Sequence, residues 1–105
     1  MQKDLEIEAM RESADIVVNV LKSLANTDRL IILCHLTQQE LNVSQIAEVT
    51  KIVQPTLSQQ LMMLRKSKVV STRRDGKQIF YSILDPKLSI LLQTLYKHYC
   101  PQTQV

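Results

Sequence analysis

The chain contains a single glycine, Gly76, and it follows Asp75 between two strand-like runs. Val69 to Arg74 is rich in β-branched residues, and from Lys77 to Leu84 the residues Ile79, Tyr81 and Ile83 alternate with their neighbours. Asp-Gly in this setting is a strong hairpin signal, because a type I′ turn needs positive φ at both central positions. The tip is basic, with Arg73, Arg74 and Lys77 around Asp75. A lone charged hairpin must be reconciled with a chain that is elsewhere patterned for helices.

Residues 5 to 24 read as a helix, since Ile7, Met10, Ala14, Val17, Val18 and Leu21 recur at spacings of three and four. Asn26 or Thr27 can cap a second helix, TDRLIILCHLTQ, whose Asp28 suits the positive end of the dipole. Ser44 is expected to open a short third helix, SQIAEVTK, and Pro55 a fourth, PTLSQQLMMLRKS. After the hairpin, Asp85-Pro86 starts a last helix with Leu88, Leu91, Leu92, Leu95 and Tyr99 on one stripe, and Pro101 stops it. Two helices joined by a short turn, then a basic hairpin, predict a mainly α winged helix-turn-helix with a β-hairpin wing. At 105 residues it should be one domain spanning 1–105.

Charge supports the same reading. The segment from Lys51 to Lys77 holds seven basic residues and one acidic one, net +6, while the remainder is net −3. Basic charge gathered in one segment is what phosphate neutralisation requires. No apolar run approaches the roughly 18–20 residues of a membrane span, and the acidic start, MQKDLEIEAMRE, is unlike a signal peptide. A cytoplasmic protein without membrane association is expected. There is no nucleophile–base signature, glycine-rich phosphate loop or paired carboxylate motif, so an enzyme and a catalytic site are not expected.

On the fourth helix, about 100° per residue places Leu57, Leu61 and Leu64 in one arc facing the core. Pro55, Thr56, Gln59, Met62 and Met63 then point away, with Ser58 on the flank. Short donors and acceptors on such a face can read base edges, and glutamine can be bidentate to adenine. Arg73, Arg74 and Lys77 on the wing can reach the phosphate backbone or the minor groove. The apolar stripes on the first and last helices leave surface for a second subunit, and a two-fold dimer would present two reading helices to a pseudo-palindromic site.

LKSLANTDRLIILCHL, then ELNVSQIAEVTKIVQPTLSQQLMMLRKSKVV, then the TRRDGKQIFYSI wing resemble the ArsR/SmtB family of bacterial repressors. The resemblance implies a homodimer built from the first and last helices, a recognition helix in the major groove of operator DNA, and release by an effector. It adds Gln54 to Thr56, Ser58 and Gln59 as DNA contacts. The family's metal sites are not reproduced. Where its third-helix thiolate site resembles ELCVCDL, this chain has Glu40 to Ile46 without cysteine. At its last-helix zinc site stand Asp85, Lys87, His98 and Pro101, two possible ligands where four are needed. No metal or other cofactor is therefore expected.

The two cysteines, Cys34 and Cys100, remain. From its residues alone Cys34, on one helix face with Leu30, reads as a buried inert thiol, whereas Cys100 at a helix end beside Lys97 and His98 is a candidate reactive one. One cysteine on the second helix and one at the end of the last is similar to the dithiol persulfide sensors of the BigR/SqrR type. That resemblance implies a repressor induced by reactive sulfur species through a Cys34–Cys100 disulfide or polysulfide bridge. A metal or metalloid sensor, or a DNA-binding regulator with structural cysteines, are the alternatives.

Overall fold

The computed structural model describes residues 2–100, with side chains from Asp4 onward. Five helices and a small sheet follow in the order α1 (Gln2–Leu24), α2 (Thr27–Leu36), β1 (Leu41–Asn42), α3 (Val43–Thr50), α4 (Thr56–Lys66), β2 (Val70–Asp75), β3 (Gln78–Ile83) and α5 (Pro86–Tyr99). This is the winged helix-turn-helix expected from the sequence, with one strand more. The two-residue β1 pairs antiparallel with β3, giving the sheet order β1-β3-β2. A strand of two residues carries no alternation from which it could have been read.

The helix ends follow their side chains. Asn26 caps α2, its Oδ1 accepting from the Arg29 N–H at 3.0 Å. The expected start of α3 at Ser44 is corrected: Asn42 is the N-cap, and it forms a capping box with Gln45. The Asn42 oxygen accepts the Gln45 N–H, and the Gln45 side chain returns to the Asn42 N–H, both at 2.9 Å. Two amide donors at the helix end are satisfied this way, more than a serine hydroxyl offers alone. Asp85 caps α5 by accepting from the Lys87 N–H. At the other end Cys100 leaves the helix in extended conformation, as a residue before proline prefers. Pro101 itself lies outside the described residues.

The hairpin turn also differs in detail. Asp75 pairs with Gln78, so the central residues are Gly76 and Lys77, not Asp75 and Gly76. Only Gly76 has positive φ, at 64°. That is the two-residue loop with glycine at its first central position, whose twist also suits a hairpin. A Cβ on Gly76 would meet nothing within 4 Å, so backbone conformation and not space calls for glycine there.

One buried cluster joins the elements. Ile32, Leu33 and Leu36 of α2 meet Ile46 of α3, Leu57, Leu61 and Leu64 of α4, Tyr81 of β3, and Leu88 and Leu92 of α5. Each fully buried aliphatic side chain stabilises the fold by about 1.5–3 kcal/mol. Among the described residues, α1 joins this cluster only through its C-terminal end, at Val20 and Leu24. Its predicted stripe does not face that core: Ile7, Met10, Val17, Val18 and Leu21 are all exposed.

Candidate DNA interface and dithiol groove

Leu57, Leu61 and Leu64 anchor α4 and leave Ser58, Gln59, Met62 and Met63 on its outer surface. Thr56 is half-buried, a partial departure from the outward position expected of it. Pro55 has no side chain with which to cap the helix, and Gln54 takes that role. Its Oε1 accepts both the Ser58 N–H at 3.0 Å and the Ser58 hydroxyl at 2.8 Å. Gln54 and Ser58 therefore form one hydrogen-bonded unit at the N-terminal end of α4. There the Leu57, Ser58 and Gln59 N–H groups are taken by Val53 O, Gln54 Oε1 and Pro55 O, and the dipole alone favours an anion. Periodicity does not select Gln54, because it precedes the helix; an amide four residues before a serine was the available signal.

Besides the β1–β3 pairing, two side-chain contacts tie the wing to the body. Asn42 donates to Gln78 Oε1 at 2.6 Å. Arg73 grips Glu40: Nε lies 2.9 Å from both carboxylate oxygens and Nη2 2.7 Å from Oε1. The guanidinium also lies over the Phe80 ring, 4.4 Å from its centre. Phe80 is the cross-strand partner of Arg73, so the two share a face of the sheet. Arg73, read from sequence as a free phosphate contact, thus has its charge matched within the protein. Arg74 and Lys77 are exposed. The Glu40–Arg73 pair spans 33 residues, and no local pattern announces it.

This pair has a titration signature. Hydrogen bonding from Arg73 holds the Glu40 carboxyl below its ordinary value of 4.5. Because the folded value is depressed, the stabilisation is present above pH 4.5 and is lost as pH falls through the folded value. A side-chain NMR titration should place Glu40 below 4.5, and Arg73→Ala should return it to the ordinary glutamate range. An undisplaced Glu40 in the unmodified protein would show that the clamp does not hold in solution.

Cys34 and Cys100 line one groove of about 620 Å³ between α2 and α5, walled by Leu30, Ile31, Leu92 and Tyr96. Both thiols are free; Cys34 is half-buried and Cys100 exposed. Burial pushes the Cys34 thiol above its ordinary value near 9.0, and the Cys100 thiolate adds to the shift. Asp85 lies at the start of α5 and His98 near its end, and among the described residues no three His, Cys, Asp or Glu side chains gather as a metal-ligand cluster.

A bacterial regulatory protein model, the arsR family, matches residues 26–72, from the cap of α2 into β2. The biofilm growth-associated repressor of Xylella fastidiosa is 43% identical over 95 residues, covering 90% of this chain and 83% of that protein. The chain belongs to the ArsR family. The crystal structure of the transcriptional repressor BigR from Xylella fastidiosa superposes with a TM-score of 0.83 at 43% identity, covering 90% of this chain and 97% of that one. The solution structure of a homodimeric winged helix-turn-helix DNA-binding domain from Mycobacterium bovis gives a TM-score of 0.70 at 32% identity, covering 90% and 91%. An ArsR-family regulator of the BigR kind acts on DNA and is not an enzyme. Among the described residues no helix is long and apolar enough to cross a membrane.

Proposed function

We propose that this chain is a homodimeric, cytoplasmic transcriptional repressor, released from operator DNA when Cys34 and Cys100 react with persulfide or another reactive sulfur species. The observation that carries the reading is the groove: thiols 66 residues apart in sequence line one cavity joining α2 to α5. The cytoplasm is where a bacterial regulator meets its DNA.

The exposed apolar surface of α1 and α5 supports the dimer. Met10 is 74% exposed and Ile16 65% on α1, and Ile90 64% and Tyr96 56% on α5. An apolar surface this extensive marks an interaction site on a water-soluble chain. The radius of gyration, 16.2 Å, also exceeds the roughly 13 Å of a compact 100-residue domain, as α1 projects from the body. A second copy would cover both helices and set two α4 reading faces side by side, with Gln54, Thr56, Ser58 and Gln59 at bases or phosphates of the groove and Arg74 and Lys77 at the backbone.

The sulfur chemistry balances without an added oxidant. The Cys100 thiolate attacks the terminal sulfur of RS–SH, the S–S bond breaks, and RS⁻ leaves to be protonated. Cys34 thiolate then attacks Cys100 Sγ, the inner sulfur of the new persulfide, forming the Cys34–Cys100 disulfide and expelling HS⁻. The pair is oxidised to a disulfide, and one persulfide is reduced to thiol and hydrogen sulfide. Each further persulfide molecule inserts one more sulfur and releases one more thiol. The exposed Cys100 meets the reagent first, and half-buried Cys34 resolves the adduct.

Intact-mass measurement with DNA-binding assays, after treatment with an organic persulfide, an organic disulfide or arsenite, tests this. Persulfide should add an intrasubunit link between Cys34 and Cys100 and release the operator. Release by arsenite with no sulfur added would instead favour the metalloid-sensor reading, and binding indifferent to all three reagents would leave the cysteines structural.

A further inference from the structure

Arg29 lies in the first turn of α2, yet its side chain bonds to the helices on either side. Nε donates to the Ser23 carbonyl at 2.8 Å and Nη2 to the Lys22 carbonyl at 3.2 Å, both in the last turn of α1. Nη1 donates to Gln60 Oε1 of α4 at 3.0 Å. Among the described residues, no other side chain hydrogen-bonds both α1 and α4. The carbonyls at a helix C-terminus lack intrahelical partners and carry the negative end of the dipole, so a guanidinium is suited to them electrostatically and geometrically. Its planar fork serves three acceptors in fixed directions, which a lysine ammonium does not reproduce.

Gln60 adjoins the exposed Gln59, so the bond to Gln60 adds to the hold that buried Leu57, Leu61 and Leu64 have on the rotation of α4 and ties that rotation to α1. We propose that Arg29 is a positioning residue that locks the angle between α1 and α4, and so sets which half-site spacing the dimer accepts. The inference rests on the proposed reading that α1 dimerises and α4 reads DNA. In a dimer joined through α1, any rotation of α4 relative to α1 changes the separation of the two reading faces. One added base pair between half-sites moves them about 3.4 Å along the duplex and about 35° around it. A rigid α1–α4 link rejects that operator, and a loose one tolerates it.

Selection from random duplex DNA with the full chain tests the idea, using Gln60→Ala, Arg29→Lys and Gln60→Glu, with thermal melts and sedimentation confirming folded dimers. The unmodified protein should recover one half-site sequence at a single spacing. Gln60→Ala and Arg29→Lys should recover the same half-site over several spacings, with discrimination against one extra base pair falling about five- to tenfold. Gln60→Glu keeps the acceptor and should keep the single spacing. A single spacing retained by Gln60→Ala and Arg29→Lys overturns the proposal, as does a loss of affinity equal at every spacing. Should the unmodified protein yield no recurring half-site, the DNA-reading assignment itself fails and this inference falls with it. The two failures are thus distinguishable.

Discussion

Replacing Arg74 and Lys77 together with alanine should weaken binding of the dimer to every DNA sequence by about 900-fold at 0.15 M salt. Each backbone contact adds about 0.9 to the slope of log affinity against log salt, and the electrostatic contribution vanishes near 1 M. At 0.15 M one contact is then worth about 5-fold, two multiply to about 30-fold per wing, and the two wings of a dimer to about 900-fold. The slope should become shallower by about 1.8 per wing, about 3.6 for the dimer, and the loss should shrink as salt rises. Both side chains are exposed and neither takes part in a hydrogen bond that holds the wing, so the fold should be unaffected.

Arg73→Ala should behave differently. Its guanidinium is already matched by Glu40, so deleting it should lower the slope by well under one unit, while affinity falls because the wing loses its tie. About 0.9 lost per subunit on Arg73→Ala, about 1.8 for the dimer, would show that DNA draws Arg73 away from Glu40. No change in slope for the double variant would remove the wing from the interface. Gln59→Ala, by contrast, should reduce the ratio of operator to random-DNA affinity and leave the slope alone.

What the sequence disclosed and what it withheld divide by distance along the chain. Leu57, Leu61 and Leu64 were legible as the buried arc of α4 because helical periodicity is local, and all three are buried. The hairpin was legible for the same reason, although the two-residue loop is displaced by one position, a register that Asp75↔Gln78 pairing decides and the dipeptide does not. Glu40–Arg73, Asn42–Gln78 and Arg29–Gln60 were not legible, since each joins residues 31 to 36 positions apart. The α1 stripe was legible as apolar and as surface for a second subunit, and the fold leaves its residues exposed in the monomer. The meeting of Cys34 and Cys100 came from resemblance alone, because no spacing rule links thiols on different helices.

Cys100→Ser should bind operator normally and lose its response to persulfide altogether. For the dithiol to act as a switch, bridging must weaken operator binding by roughly 5–150-fold, equivalent to a coupling of about 1–3 kcal/mol. The link would tie α2, which carries Arg29 and packs against α4, to α5 with its exposed apolar surface, so it can bias how the reading helices are held. Cys34→Ser should fail for a different reason. Its Cys100 still accepts sulfur from the persulfide, so mass spectrometry should find sulfur added at Cys100 with no closed bridge and little loss of DNA affinity. Closure needs the Cys34 thiolate, whose formation burial opposes. In the unmodified protein the closure rate should therefore reach half its plateau above pH 9.0, the midpoint of an unshifted thiol. Stopped mass spectrometry across a pH series measures that rate. A Cys100→Ser protein that persulfide releases as readily as the parent, or a bridged parent that holds its operator with undiminished affinity, would separate these cysteines from control of DNA binding.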